Sequence, residues 1–156
     1  MASSVSYTIT RENNATEKEG IGFVLEEDLN LINPTKEMRR KLMEDFDISN
    51  KFRRAFDLIW TPIKRNAEDS EIIVDKDTVR FVELKTTKKK LPDNPRGFFF
   101  GATENEFELA EILGERYRFC FVSLHPDSKS HAYLSLQELE AIIKNKRVQY
   151  QINLER

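Results

Sequence analysis

The segment Tyr117–Leu124 constrains the fold more than any other part of the sequence, because apolar residues occur in both of its alternating sets of positions. Side chains of a strand point alternately to the two faces of a sheet, so this strand is apolar on both faces and belongs in the interior of a sheet. Cys120 lies within it and is expected in the core. Helical patterns before and after the strand supply the cover. We therefore predict an α/β fold with one mixed sheet flanked by helices.

Capping boxes mark where three helices begin. In each, a Ser or Thr is followed three residues later by Glu, so the two residues can satisfy free amide groups of the first turn. A fourth helix is predicted from apolar residues at helical spacing after Pro34, which interrupts the first helix. The predicted helices run approximately over Glu17–Ile32, Lys36–Phe46, Thr103–Leu113 and Ser135–Asn145.

The remaining apolar segments predict strands. They are Arg54–Thr61, Glu71–Val74, Thr78–Lys85, Tyr117–Leu124 and Val148–Leu154. The stretch Lys64–Ser70 is predicted to be a turn, and Lys88–Gly97, with two prolines, a loop. Residues 1–15 are predicted to be a flexible lead-in, and residues 16–156 a single domain, which matches the usual size of one folding unit.

Composition excludes several classes of protein. The longest apolar run, Gly97–Ala102, is far shorter than a membrane span. The polar N-terminus lacks a signal-peptide pattern, so a cytoplasmic location is expected, without membrane association. One cysteine excludes an internal disulfide and a cysteine zinc cluster. A net charge of −2 argues against a generally basic nucleic-acid binder. Any binding of a polyanion must therefore be local, through a patch or a metal ion.

Charged residues in apolar strands point to a site. Glu83 and Lys85 are two residues apart, so they share one face of the predicted strand with Val79 and Phe81. Asp57 interrupts another apolar strand, where an unpaired carboxylate would be costly. If the two strands are neighbours, two carboxylates converge. With a backbone carbonyl they would form an oxygen site suited to Mg²⁺, and a nearby lysine could orient the attacking water and offset charge on a phosphate.

This Asp … Glu-x-Lys arrangement resembles the PD-(D/E)xK nuclease superfamily, which has the restriction-endonuclease-like fold. The resemblance implies that Asp57 and Glu83 bind Mg²⁺ or Mn²⁺, with the carbonyl of Leu84 as a third ligand. It implies that Lys85 activates water or contacts phosphate. Many members add a glutamate from the first helix. Glu19 is the first candidate for that position, and the alternatives are Glu17, Glu26 and Glu27.

A closer resemblance covers about Ala55 to Leu124. It is to the uncharacterised domain at the C-terminus of the plant protein NO VEIN, which recurs beside restriction–modification and helicase genes and is placed in the same superfamily. The matching pieces, in order, are Phe56-Asp57-Leu58, Glu83-Leu84-Lys85-Thr86-Thr87, Phe98-Phe99-Phe100, Thr103-Glu104-Asn105-Glu106 and Gly114-Glu115-Arg116-Tyr117-Arg118-Phe119. The implied function is metal-dependent hydrolysis of DNA in restriction, defence or repair.

Residues for gripping DNA are predicted in two places. The basic loop of Lys88, Lys89, Lys90 and Arg96 could contact the phosphate backbone, or be simply a solvated loop. Asn105, at a helix start, could point towards the substrate. The resemblance further implies a homodimer or a larger restriction or defence complex.

Other interpretations remain open for the same residues. Glu83 and Lys85 could form an ordinary salt bridge, and Glu19 could serve only as the capping partner of Thr16. At the level of function, the alternatives are a non-catalytic DNA-binding or assembly module that keeps the fold, and a nuclease acting on RNA or branched DNA.

Overall fold

A computed structural model describes residues 2–64 and 74–156 of the chain, with side chains from Ala15 onward. The described residues form four helices and five strands, with short 3-10 turns at Asn50–Phe52 and Gly114–Arg116. In chain order the elements are α1 (Ala2–Glu27), β1 (Leu31–Ile32), α2 (Lys36–Asp45), β2 (Leu58–Trp60), β3 (Arg80–Thr87), α3 (Glu104–Leu113), β4 (Tyr117–Ser123), β5 (Ser130–Leu134) and α4 (Leu136–Glu140).

The strands form one mixed sheet in the order β1-β2-β3-β4-β5. The pairs β1–β2, β2–β3 and β4–β5 are antiparallel, whereas β3 and β4 are parallel. Helix α3 makes the crossover between the two parallel strands, as a parallel pair requires. The start of α3 therefore follows the carboxyl end of β3 in the chain, which is also the end that carries Glu83 and Lys85.

Helices cover both faces of the sheet. On one face, Val24 of α1 packs against Val82 and Leu84 of β3. On the other face, Phe81 of β3 belongs to a larger cluster that receives Leu109 of α3. The same cluster takes in residues of α2 and α4, namely Leu42, Met43 and Leu139. The predicted α/β architecture, a mixed sheet flanked by helices, is confirmed, and so is the alternation of side chains along β3.

Local capping explains where the helices begin. The capping boxes Thr103–Glu106 and Ser135–Glu138 are both formed. Thr35 caps α2, since its hydroxyl accepts a hydrogen bond from the backbone N–H of Met38 at 3.1 Å. Gly114 ends α3 with a positive φ of 55°, which a residue without a Cβ adopts at little cost. These boundaries agree with the sequence patterns.

The first helix differs from its prediction at both ends. It begins at Ala2 rather than near Glu17, so its backbone includes the residues predicted to be a flexible lead-in. It ends at Glu27 rather than near Ile32. There the side chain of Asp28 accepts a hydrogen bond from the N–H of Asn30 at 2.9 Å and turns the chain. Leu31–Ile32 then pairs with β2 as a strand, because these buried residues complete the sheet edge.

Three further predictions are wrong in extent or kind. The strand predicted over Arg54–Thr61 is regular only at Leu58–Trp60, since the turn that follows the 3-10 segment extends to Ala55, whose N–H donates to the carbonyl of Phe52 at 2.9 Å. Helix α4 ends at Glu140 rather than near Asn145, so it is shorter than predicted. The segment Val148–Leu154 is not a strand: its apolar side chains are exposed and it pairs with no strand among the described residues.

Strand β5 (Ser130–Leu134) was not predicted, because its half-buried polar and aromatic residues resemble a turn. Most of the predicted strand Glu71–Val74 and most of the turn Lys64–Ser70 lie outside the described residues. Within the described ranges, no helix is long and apolar enough to cross a membrane.

Candidate active site

Asp57 stands immediately before β2 and is tied to β3 by two hydrogen bonds. Its backbone N–H donates to the carbonyl of Val82 at 2.8 Å, and its Oδ2 accepts from the N–H of Leu84, also at 2.8 Å. The carboxylate thus accepts the hydrogen bond of the Leu84 N–H, which would otherwise need a main-chain acceptor. The predicted adjacency of Asp57 and Glu83 on neighbouring segments of the sheet is therefore present.

An arginine from α2 holds the segment that carries Asp57. The guanidinium of Arg39 donates to the carbonyls of Arg53 at 3.2 Å, Phe56 at 2.5 Å and Asp57 at 3.1 Å. It also lies over the Phe56 ring, 4.3 Å from its centroid. On the far side, the hydroxyl of Tyr117 donates to the carbonyl of Ala55 at 2.5 Å. These contacts fix an irregular backbone that has few ladder hydrogen bonds of its own.

Glu83 and Lys85 project from the same face of β3 and contact each other. Lys85 Nζ lies 3.4 Å from Glu83 Oε1, and the side chains are only 11% and 8% exposed. The second oxygen, Glu83 Oε2, is buried and receives a hydrogen bond from no donor in the described part of the chain. A carboxylate oxygen of this kind needs a proton or a cation to compensate for its burial.

The electrostatics indicate that Glu83 takes the proton. Burial, followed by the neighbouring carboxylates of Asp57 and Glu106, raises the pKa of Glu83 to about 10. Burial also raises the pKa of Asp57, against the opposing effects of hydrogen bonds from the Leu84 N–H and the Glu83 side chain. Two adjacent carboxyl groups that repel one another in this way share a proton when no cation is bound.

Glu106 joins the site, although it was interpreted from the sequence only as part of a helix start. Its Oε1 forms an ion pair with Lys85, and its Oε2 accepts from the N–H and the hydroxyl of Thr103 at 2.9 and 2.6 Å. The side chain is 7% exposed. One carboxylate therefore caps α3 and neutralises Lys85. The feature of the sequence that points to Glu106 is its place in the topology, because a crossover helix begins near the carboxyl end of the strand before it.

Two candidate glutamates of the first helix, Glu17 and Glu19, differ in their surroundings. Partial burial and the charge of Asp57 raise the pKa of Glu17, which places its carboxyl within electrostatic reach of the cluster. Glu19 instead forms an exposed ion pair with Lys88 at 3.7 Å. The helix can approach β3 because residue 20 is glycine: a Cβ there would lie 2.2 Å from Thr86 Oγ1.

The residues predicted to grip DNA are spread over the surface. Lys88, Lys89, Lys90 and Arg96 are all exposed. Lys88 pairs with Glu19, and Lys90 lies 3.6 Å from Asp127. Asn105 lies elsewhere, on the first turn of α3, where its side chain donates to the carbonyl of Lys51 at 3.3 Å. Asn105 therefore contacts the turn at Lys51, whereas the basic loop contacts Glu19 and Asp127.

The cluster combines carboxylate oxygens, which are hard donors, with the buried ammonium group of Lys85. Among the described residues, no group of three or more His, Cys, Asp and Glu side chains is arranged to hold a metal ion. Asp57 and Glu83 are nevertheless adjacent, and no donor in the described part of the chain reaches Glu83 Oε2, so these two carboxyl groups fit a hard divalent cation. No protein-family model, curated protein or solved structure matches the chain.

Proposed function

We propose that the chain is a Mg²⁺- or Mn²⁺-dependent nuclease of the PD-(D/E)xK type that hydrolyses phosphodiester bonds in DNA. The observation that carries the proposal is the pairing of Asp57 with Glu83 beside Lys85, in the order that the sequence pattern requires. The mixed sheet flanked by helices is compatible with the restriction-endonuclease-like fold that this proposal entails.

Asp57 and Glu83 would hold the metal ion, with the carbonyl of Leu84 as a further ligand. When bound, Mg²⁺ supplies Lewis-acid stabilisation of the charge that develops on the phosphate. Asp57 is oriented for this task by the N–H of Leu84. Glu83 would give up its proton on binding, since a cation replaces the compensation that the proton provides. Glu17 would complete the acidic side of the site.

Lys85 serves as a fixed cation rather than as a base. Burial by itself would lower its pKa, but the carboxylates of Glu83 and Glu106 outweigh burial and raise the pKa. A lysine that stays protonated cannot remove a proton from water. It can orient the attacking water as a hydrogen-bond donor and offset negative charge on the phosphate.

Two observations favour a second candidate, a non-catalytic DNA-binding or assembly module with the same fold. Lys85 is already neutralised by Glu106, and the described residues include no group of three or more His, Cys, Asp and Glu side chains arranged to hold a metal. A site of this kind is stable without a cation. In that case, the buried polar cluster would serve to orient β2, β3 and α3 relative to one another.

A cleavage assay tests the first proposal against the second. The wild type, Asp57→Asn and Lys85→Ala would be incubated with supercoiled, linear and single-stranded DNA in Mg²⁺, Mn²⁺ or EDTA. Asn at position 57 can still accept the Leu84 hydrogen bond, so the fold should survive. Glu111→Gln, which neutralises an exposed carboxylate of α3, is the matched control.

We expect metal-dependent cleavage by the wild type and by the control, and a loss of about 100-fold or more in both site variants. Folding of each protein would be checked by circular dichroism. Absence of cleavage by the folded wild type, together with absence of Mg²⁺ binding, would instead support the binding module. An RNA or branched-DNA substrate would be added as a further arm to define the class of nucleic acid.

A further inference from the structure

An open groove of about 520 Å³ lies between the 3-10 turn Asn50–Phe52 and the start of α3. The basic-loop residues Lys88–Lys90 do not line it. Its lining is rich in cations and in neutral hydrogen-bond donors. The side chains that the argument uses are those of Asn50, Lys51, Arg53, Arg54, Thr103 and Asn105.

The groove carries a net positive charge. Arg53 and Arg54 are exposed and form no ion pair with a carboxylate in the described ranges. Lys51 is partly neutralised by Glu108, whose Oε1 lies 3.0 Å from Lys51 Nζ. Two guanidinium groups in one concave surface are well suited to phosphate oxygens, which they can contact through paired N–H donors.

The groove is physically joined to the carboxylate cluster. Thr103 lines the groove, and its hydroxyl donates to Glu106, the partner of Lys85. On the other wall, Ala55 is two residues from Asp57. Arg39 binds the carbonyls of both Arg53 and Asp57, so a single side chain fixes the groove wall and the acidic residue. A ligand in the groove would therefore lie next to the proposed reaction centre.

We propose that this groove binds the phosphodiester backbone of duplex DNA and guides one strand towards Asp57 and Glu83. This inference rests on the proposed function for its direction, although the binding itself can be tested without cleavage. The basic loop is less suited to the task, since Lys88 and Lys90 already have carboxylate partners. Arg53 and Arg54 are thus the main cations for the DNA backbone.

The test measures binding of a short fluorescent DNA duplex by anisotropy in EDTA, over a range of salt concentrations. The groove variant is Arg53→Ala with Arg54→Ala. It removes exposed side chains and leaves the backbone carbonyl that Arg39 binds. Lys88→Ala with Lys89→Ala tests the loop. Lys144→Ala with Arg147→Ala, in the exposed chain after α4, matches the groove variant in charge.

We expect the groove variant to bind about 10-fold more weakly, with its salt dependence reduced by about two phosphate contacts. The loop and charge-matched variants should bind nearly as well as the wild type. Equal affinity and equal salt dependence in the groove variant, or no duplex binding by the wild type, would overturn the inference. Groove-dependent binding without cleavage under any metal would support the groove and reject the nuclease. Metal-dependent cleavage that is equally fast in the groove variant would support the nuclease and reject the groove.

Discussion

Lys85 on β3 forms a buried ion pair with Glu106 on the first turn of α3, and this contact joins the crossover helix to the strand that carries the acidic site. The side chains are 11% and 7% exposed, so the charges are largely removed from water. Thr103 holds the other oxygen of Glu106. The position of Lys85 therefore depends on a helix cap, and a change in that cap should alter both stability and activity.

Glu106→Gln should destabilise the protein by about 1–3 kcal/mol, because it leaves Lys85 without its stronger carboxylate partner in a buried place. Any DNA cleavage should decrease as well, since Lys85 loses its fixed position. The measurement is urea denaturation at pH 7, combined with the plasmid assay.

Glu108→Gln provides the control for that substitution. It lies on the same helix and breaks the exposed pair with Lys51, so its free energy of unfolding should change by about 0.5 kcal/mol or less. Equal effects of the two substitutions would show that the buried pair contributes no more than a surface pair, contrary to this account.

The raised pKa of Glu83 predicts how stability depends on pH. An unfolded chain ionises this group near its ordinary value of 4.5, whereas the folded protein keeps the proton up to about pH 10. Between these values the folded state binds more protons, so the free energy of unfolding falls as pH rises. Glu83→Gln removes this dependence because the amide does not titrate.

Denaturation at pH 6 and pH 8 in EDTA would check this prediction. From pH 6 to 8 the free energy of unfolding of the wild type should fall by about 1 kcal/mol or more relative to that of Glu83→Gln. The titration of one proton can change this free energy by at most about 1.4 kcal/mol per pH unit. The variant should be the more stable protein at pH 8. Parallel pH profiles would mean that Glu83 is ionised in the folded state.

Gly20→Ala should push α1 away from β3, because the new Cβ would lie 2.2 Å from Thr86 Oγ1. We expect a loss of about 1–3 kcal/mol in stability, as for other overpacked contacts, and reduced cleavage if Glu17 shifts. Gly22→Ala is the matched control, since its Cβ would meet nothing within 4 Å. That substitution should stabilise the exposed helix position by about 0.5–1 kcal/mol.

Thr86 offers a direct check on the cause. Its hydroxyl is buried and has no hydrogen-bond partner in the described part of the protein, so Thr86→Ala should cost little by itself. Combined with Gly20→Ala, it should recover most of the lost stability in thermal unfolding. A double variant as unstable as Gly20→Ala alone would place the strain elsewhere.

The parts of the site that could be predicted are those governed by local rules. Strand alternation puts Glu83 and Lys85 on one face, and the capping box fixes the start of α3. Glu106 was missed because its role in the cap already accounts for it locally, while its contact with Lys85 spans 21 residues. Glu17 and Glu19 could not be distinguished, since the rotation of α1 against the sheet depends on Gly20 and Thr86.

The errors in the fold have the same origin. Leu31 and Ile32 fit a helical spacing, but their pairing with β2 decides that they form a strand. Val148–Leu154 alternates like a strand, yet alternation forms no ladder without a neighbouring strand. Conversely, Ser130–Leu134 has a weak pattern and is a strand because β4 pairs with it. Partners distant in sequence determined each outcome.

Calorimetric titration with Mg²⁺ tests the central claim most directly. We would choose a pH of about 7.5, where Glu83 keeps its proton in the absence of metal, and buffers with different ionisation enthalpies, which reveal the number of protons released. We predict that the wild type binds Mg²⁺ and releases about one proton per ion, because the metal displaces the proton from Glu83. Asp57→Asn should lose binding, and Glu83→Gln should lose the proton release. Absence of Mg²⁺ binding by the folded wild type, or binding unchanged in Asp57→Asn, would contradict the claim that these two carboxyl groups form a metal site.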